Sequence, residues 1–125
     1  MIFQILYTIL TWPIIEYCIH YSLHKFKNKR HHHHHIEVHS TKEHKFDSFK
    51  YIEPFYITLP ILFYFKCYTL FLGFCWYYIV HTIIHFKPEW LPHLSQHHSI
   101  HHIYPHLNYG VTTPIIDIIM CTKKY

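Results

Sequence analysis

Histidine is the residue type that stands out in this chain of 125 residues, seventeen of which are histidine. The neutral imidazole is the commonest protein ligand for metal ions. His20 and His24 are four positions apart, and His81 and His85 have the same spacing. Because residues at i and i+4 share one face of an α-helix, each pair can present two imidazoles to one metal centre. The two pairs predict helices that end at a common metal site.

A denser histidine segment follows the second pair. His98, His101 and His102 form an HxxHH pattern. On a helix, His98 lies near both of the other histidines, and the adjacent pair can reach two different metals. The pattern therefore predicts ligands for a centre with more than one ion.

The run from His31 to His35 allows two registers. His31, His34 and His35 repeat the HxxHH pattern, whereas His31, His35 and His39 would line one helical face. In a register that begins the motif at His35, Val38 takes the place of the first of the paired histidines. A low-complexity tract that binds metal nonspecifically is the alternative interpretation. The sequence does not decide which members of the run bind.

The number of histidines argues against a single zinc site. The four histidine groups together supply about ten imidazoles. A tetrahedral zinc ion takes four ligands. A dinuclear centre fits this supply better.

The composition predicts a membrane protein. Half of the chain is hydrophobic and 20% is aromatic, whereas only 14% is charged. A soluble domain usually carries about a quarter charged residues. The net charge of +4 comes from basic residues that flank apolar runs, as at cytosolic membrane boundaries, so no nucleic-acid partner is expected. The four cysteines form no CxxC pair, so a disulfide scaffold is not expected.

These features predict an all-α fold, an integral membrane helical bundle with a cytosolic histidine-rich cap. If the histidines at 20–39 and those at 81–102 share one metal site, both segments must lie on the same membrane face. The stretch between them must then enter the bilayer and return, with Lys66 near the tip. A single long tilted helix is the alternative, and it would separate the groups. The predicted single domain, 1–125, contains a helix at 1–24, a histidine-rich segment at 25–53, a membrane hairpin at 54–85 and a histidine-rich C-terminal cap at 86–125.

The C-terminal part carries the most specific resemblance to a known family. Residues 97–102 are followed by Asn108-Tyr109-Gly110, by Asp117, and by Thr122 five residues later. Residues 16–24, 81–86 and 31–39 with Phe46-Asp47 resemble three further histidine boxes. The chain resembles the fatty acid hydroxylase superfamily over roughly residues 14 to 122, and is most similar to its fatty acid 2-hydroxylase branch.

The resemblance implies an oxidoreductase of the endoplasmic reticulum membrane or an equivalent membrane. Its two iron ions, for which zinc can substitute, would face the cytosol. It would hydroxylate a lipid (fatty acyl, sphingolipid or sterol) with O2 and electrons from a donor such as cytochrome b5. No catalytic side chain is implied beyond the metal centre. The implied ligands are His20, His24, His31, His35, His39, His81, His85, His98, His101 and His102.

Two other functions remain open at this point. A degenerate relative would be a non-catalytic membrane protein that binds metal, and a lipid desaturase uses similar histidine boxes. Carboxylates commonly orient metal-bound imidazoles through hydrogen bonds. The candidates for that role are Glu16, Glu37, Asp47 and Asp117.

Overall fold

The computed structural model describes residues 2–40, 59–64 and 66–125, and the side chains at 30 and 37–40 lie outside the description. The elements are α1 (Ile2–Lys25), α2 (Lys29–Ser40), α3 (Tyr68–Phe86), a 3-10 turn (Pro88–Trp90), α4 (Pro92–Ile103) and α5 (Ile115–Ile119). Residues 59–64 are also helical, and no strand occurs among the described residues. The prediction of an all-α fold is confirmed. Membrane embedding and the cytosolic cap stay predictions.

Helices α1 and α3 are the two long apolar elements and pack against each other. Both are long and apolar enough to cross a membrane, judged by length and composition. At their crossing, a Cβ on Gly73 would lie 1.9 Å from Cε3 of Trp12. The Trp12 ring also meets Phe74 edge to face, with ring centroids 5.2 Å apart. Glycine at position 73 therefore makes room for the indole between the two helices.

A tight turn joins α1 to α2 and directs the chain back along the end of α1. Lys27 adopts a left-handed conformation with φ of 50°. The amide of Asn28 then donates to the carbonyl of Leu23 at 2.9 Å, which closes the last turn of α1. The side chain of Asn28 accepts from the amide of His31 at 3.1 Å and caps the N-terminus of α2. The cap sets the rotational phase of the histidine run that follows.

Lys66, the predicted tip of the membrane hairpin, lies in a turn between the helical residues 59–64 and α3. Its φ is 56°, and the amide of Cys67 donates to the carbonyl of Leu62 at 2.8 Å. These features end one helix just before another begins. Residues 54–58 of the predicted hairpin lie outside the described residues, as do 41–53 of the histidine-rich segment, so the domain organisation stays a prediction.

The chain reverses again between α3 and α4. The amide of Lys87 donates to the carbonyl of Ile83 at 2.7 Å, and the 3-10 turn follows. Pro92 begins α4, where its missing N–H costs no helical hydrogen bond. Ser95 ties α4 back to the turn by donating to the carbonyl of Pro88 at 3.2 Å. The reversal places α4 against the end of α3.

The described interior holds little hydrocarbon. Val80, Ile84 and Val111 form a small buried cluster, and Leu91 and Leu94 pack against it. Most of the other buried side chains are polar, and imidazoles dominate them: His20, His34, His35, His81, His85, His97, His98, His101 and His102. The helices thus enclose a core made largely of histidine.

Candidate metal centre

Five imidazoles from three helices converge on one point, and we call them cluster A. His20 and His24 come from the last turns of α1, and His31 and His35 come from α2. His101 of α4 completes the group, and the five ligand atoms lie within 4.8 Å of one another. The Nε2 atom of His31 lies 2.8 Å from that of His24 and 3.0 Å from that of His20. The Nε2 atoms of His24 and His101 are 3.1 Å apart.

A second group, cluster B, lies beside the first. His81 and His85 from the end of α3 meet His98 of α4, with all three Nε2 separations at 3.2 Å. His34 of α2 belongs to the same group of ligand atoms within 4.8 Å. His102 joins it through an Nε2 separation of 2.9 Å from His98. Cluster B therefore also consists of five histidines.

The separations within both clusters suit nitrogen atoms that bind one ion. Nitrogen atoms bound about 2.1 Å from a metal, in directions at right angles, lie about 3.0 Å apart. Hydrogen bonds alone do not explain the pattern, because a neutral imidazole carries a single N–H. The Nε2 atom of His31 has three other Nε2 atoms within 3.2 Å. The donor set fits metal ions better than a network of imidazole pairs.

Two backbone carbonyls determine which ring nitrogen faces cluster A. Nδ1 of His20 lies 2.5 Å from the carbonyl oxygen of Tyr109, and Nδ1 of His101 lies 2.6 Å from that of Leu107. A carbonyl oxygen only accepts, so both Nδ1 atoms carry the proton. Their Nε2 lone pairs therefore point into the cluster. This is the arrangement that metal-binding histidines usually show.

Burial favours the neutral form of three cluster imidazoles, His34 of α2 and His98 and His101 of α4. It lowers the pKa of His34 to about 3, with the neighbouring His85 and His35 adding to the effect. Burial likewise holds the pKa of His98 and His101 well below the ordinary histidine value, with further lowering by adjacent imidazoles. Neutral imidazole is the form that binds metal. These three imidazoles can therefore bind a metal ion without first losing a proton.

The run at 31–35 divides between the two clusters. His31 and His35, one helical turn apart on α2, belong to cluster A. His34 belongs to cluster B. The described ligand atoms thus follow the HxxHH register of His31, His34 and His35, which does not involve Val38.

The HxxHH pattern of α4 divides in the opposite sense. His98 and His102 belong to cluster B, whereas His101, between them, belongs to cluster A. The rings of His35 and His102 lie 4.5 Å apart, so the clusters adjoin. Each cluster therefore combines one HxxxH pair, the outer members of one HxxHH pattern and the middle member of the other. Two groups that could each hold a metal ion therefore adjoin.

The structure brings together nine of the predicted ligands and adds one. The nine lie in the clusters as described: His20, His24, His31, His35, His81, His85, His98, His101 and His102. His39 lies in α2, and its side chain is outside the described part of the chain. His34 is absent from the predicted set, although the HxxHH register of the run includes it.

Glu16, a candidate for orienting a metal-bound imidazole, bonds instead to the loop backbone and to the hydroxyl of Thr112. Its Oε1 accepts from the amides of Val111 and Thr112 at 2.5 and 2.9 Å. Its Oε2 accepts from the hydroxyl of Thr112. The side chain of Glu37 and all of Asp47 lie outside the described residues.

Asp117 bonds the two residues that precede Val111 in the same loop. It accepts from the amides of Tyr109 and Gly110 at 2.8 and 2.7 Å and from the hydroxyl of Thr122 at 2.7 Å. Nε2 of His97 lies 3.1 Å from its Oδ2. Burial raises the pKa of Asp117, but these hydrogen bonds outweigh it and lower the pKa below its ordinary value. Asp117 is therefore a buried carboxylate with a full set of donors.

An apolar cavity of about 80 Å³ reaches cluster A from between α1 and α3. Its lining includes Trp12, Phe74, Tyr77 and His20. The cavity connects the space between the two apolar helices to a cluster histidine.

Comparison with known proteins identifies the family. The family model described as fatty acid hydroxylase matches residues 5–122. Neither the curated proteins nor the solved structures gave a match. The family match spans nearly the whole chain and includes every histidine of both clusters, and it confirms the resemblance seen in the sequence. The chain belongs to the fatty acid hydroxylase family.

Proposed function

We propose that this protein hydroxylates a lipid with O2 at a centre of two iron ions, one in cluster A and one in cluster B. The main support for two metal ions is the pair of adjoining clusters, each made of five imidazoles. Membership of the fatty acid hydroxylase family supports the reaction type.

The residues of this chain supply ligands, orientation and exclusion of water. Iron supplies the redox chemistry needed to cleave an unactivated C–H bond, which side chains alone do not provide. The neutral imidazoles also suit zinc, copper and nickel, so a purified sample can carry zinc in place of iron. His101 is fully buried, and its Nδ1–H donates a hydrogen bond to the carbonyl of Leu107, so this ligand is both held in place and shielded from water.

The distribution of apolar side chains supports membrane embedding. Phe3 and Leu10 of α1 are 87% and 74% exposed, while the interior of the bundle is polar. Such an extensive apolar surface is unusual on a soluble monomer. Exposed Lys25, Lys27 and Lys29 lie at the cluster end of α1. Basic residues favour the cytosolic side, so we place the clusters on the cytosolic face of an endoplasmic reticulum-type membrane.

The proposed substrate is the alkyl part of a lipid. A fatty acyl, sphingolipid or sterol hydrocarbon in the bilayer could approach cluster A along the apolar cavity between α1 and α3. Hydroxylation places one oxygen atom of O2 in the product and reduces the other to water. The balance requires two electrons and two protons from outside the substrate, so an electron donor such as cytochrome b5 is part of the proposal.

The test is a lipid profile of cells that express the chain or its His98→Ala/His101→Ala variant. These two residues belong to different clusters, so the variant damages both sites. We expect hydroxylated lipids with the parent chain and none with the variant. Iron analysis of the purified parent chain should give two ions per chain.

The matched control is His93→Ala/His106→Ala, which removes two exposed histidines that flank the same motif. This control should retain the product. Metal binding with an unchanged lipid profile would favour a non-catalytic metal-binding protein, and new double bonds would favour a desaturase. Full activity of the His98→Ala/His101→Ala variant would refute the site.

A further inference from the structure

The 107–112 loop lies against cluster A and holds two of its five histidines through backbone atoms. The carbonyl of Leu107 accepts from His101, and the carbonyl of Tyr109 accepts from His20. These histidines come from different helices, α4 and α1. The position of one loop therefore determines how two ligands from separate helices are oriented toward the same point.

Two buried carboxylates hold successive parts of this loop. Glu16 is 3% exposed and bonds the loop at Val111 and Thr112, and Asp117 is fully buried and bonds it at Tyr109 and Gly110. Glu16 lies on α1 one helical turn before His20. The carboxylate and the imidazole thus hold the loop to the same face of α1.

Glycine at position 110 allows the loop backbone to approach Asp117 closely. A Cβ at this position would lie 2.9 Å from Oδ2 of Asp117 and 2.1 Å from the carbonyl oxygen of Thr113. Only glycine lets the backbone approach the carboxylate this closely. The close contact between the loop and Asp117 therefore requires glycine at position 110.

We propose that Glu16 and Asp117 are positioning residues that raise the metal affinity of cluster A through the loop carbonyls, and that Glu16 has little effect on cluster B. The two carbonyls reach His20 and His101, both of which belong to cluster A. Asp117 also contacts His97, which precedes His98 of cluster B. Glu16 is thus the more selective of the two residues, and the experiment uses it.

The expected size of the effect follows from ligand orientation. Loss of a group that orients a metal ligand typically lowers metal affinity about 10- to 100-fold. Glu16 acts one step further away, through the loop, so the lower end of this range applies. The inference rests on the metal-binding part of the proposed function, and it does not depend on catalysis.

The experiment titrates the full chain in detergent with Co²⁺ and follows the visible absorption of the bound ion. Two backgrounds isolate the sites. His81→Ala/His85→Ala damages cluster B and leaves cluster A, whereas His20→Ala/His24→Ala does the reverse. We expect Glu16→Ala to lower Co²⁺ affinity about 10-fold in the first background and to leave it nearly unchanged in the second.

A conservative variant separates positioning from a general need for the fold. In Glu16→Gln, the amide oxygen can still accept from the backbone amides, and the amide nitrogen can donate to the hydroxyl of Thr112. Affinity at cluster A should therefore return close to that of the parent. Thr112→Val is a milder variant that removes only the hydroxyl contact, and it should weaken cluster A less than Glu16→Ala does.

The outcomes distinguish this inference from the proposed function. The inference would be overturned if Glu16→Ala and Thr112→Val each lowered Co²⁺ affinity equally at the two clusters. It would also be overturned if Glu16→Gln failed to restore the affinity of cluster A. A chain that binds two Co²⁺ ions but forms no hydroxylated lipid would refute the hydroxylase and leave the inference standing. A parent chain that binds no Co²⁺ would overturn both.

Discussion

Each imidazole has two nitrogen atoms, and different histidines of this chain use them differently. His20 and His101 give Nδ1 to a backbone carbonyl and direct Nε2 into cluster A. His97 instead places Nε2 against Asp117 and belongs to neither cluster. Neighbouring histidines on one helix can therefore have separate tasks, as metal ligand and as loop support. Residue type alone does not distinguish these tasks.

A prediction at the residue scale concerns the run at 31–35. His34→Ala should remove a ligand of cluster B, since His34 is buried and its ligand atom lies among those of His81, His85 and His98. We expect the purified variant to retain one metal ion fewer per chain than the parent, as measured by elemental analysis after dialysis.

The matched control is His32→Ala, because His32 lies in the same run and is exposed. It should leave the metal content unchanged. Equal loss from the two variants would indicate that the run binds metal nonspecifically, which is the low-complexity interpretation.

At the scale of elements, the clusters depend on where helices end and how they cross. The turn at Lys27 and the cap at Asn28 bring the start of α2 beside the end of α1. The crossing of α1 and α3 at Trp12 and Gly73 holds together the helices that carry the two HxxxH pairs. Helical periodicity places the histidines on a face, and these junctions bring the faces together.

The helix crossing gives a second prediction. Gly73→Ala would place a methyl group 1.9 Å from the Trp12 ring, so α1 and α3 must move apart or the indole must rotate. Overpacking of this kind typically costs about 1–3 kcal/mol. We expect a lower melting temperature in detergent, measured by circular dichroism.

The double variant Gly73→Ala/Trp12→Leu tests the cause. The smaller leucine makes room for the new methyl group, so part of the lost stability should return relative to Gly73→Ala alone. A Gly73→Ala chain that melts with the parent would show that the close crossing is not required.

At the scale of the whole molecule, the distribution of polarity among the described residues is the reverse of that in a soluble domain. Apolar side chains such as Phe3 and Leu10 cover the outside of α1, and imidazoles fill the interior. A histidine interior contributes less hydrophobic stabilisation than a hydrocarbon core. Metal ions that bind the folded chain can supply stability in its place.

The third prediction follows from this interior. Stripping metal with a chelator should lower the melting temperature in detergent, and adding Zn²⁺ or Fe²⁺ back should restore it. A ligand at a hundred times its dissociation constant stabilises the native state by about 2.7 kcal/mol per site. The His98→Ala/His101→Ala variant should respond much less, since it lacks one ligand in each cluster. A parent chain that melts at the same temperature with and without metal would contradict the role of the clusters.

The sequence by itself determined the family, the helical class and nine histidines that the structure brings together. These properties depend on local spacing, because i and i+4 positions share a helical face wherever the helix lies. The resemblance carried by residues 97–102 and the Asn108, Tyr109, Gly110 and Asp117 positions depends on residue identity and is equally visible in one dimension.

Only the tertiary structure decided how the histidines divide between the clusters. His34 and His35 are adjacent in the chain, yet they belong to different clusters, because successive helical residues point about 100° apart and α2 lies between the two sites. The carbonyls of Leu107 and Tyr109 are a second case. Every residue has a carbonyl, so no sequence pattern marks the two that hold His101 and His20. Their role depends on where the loop packs, and long-range contacts from Glu16 and Asp117 determine that position.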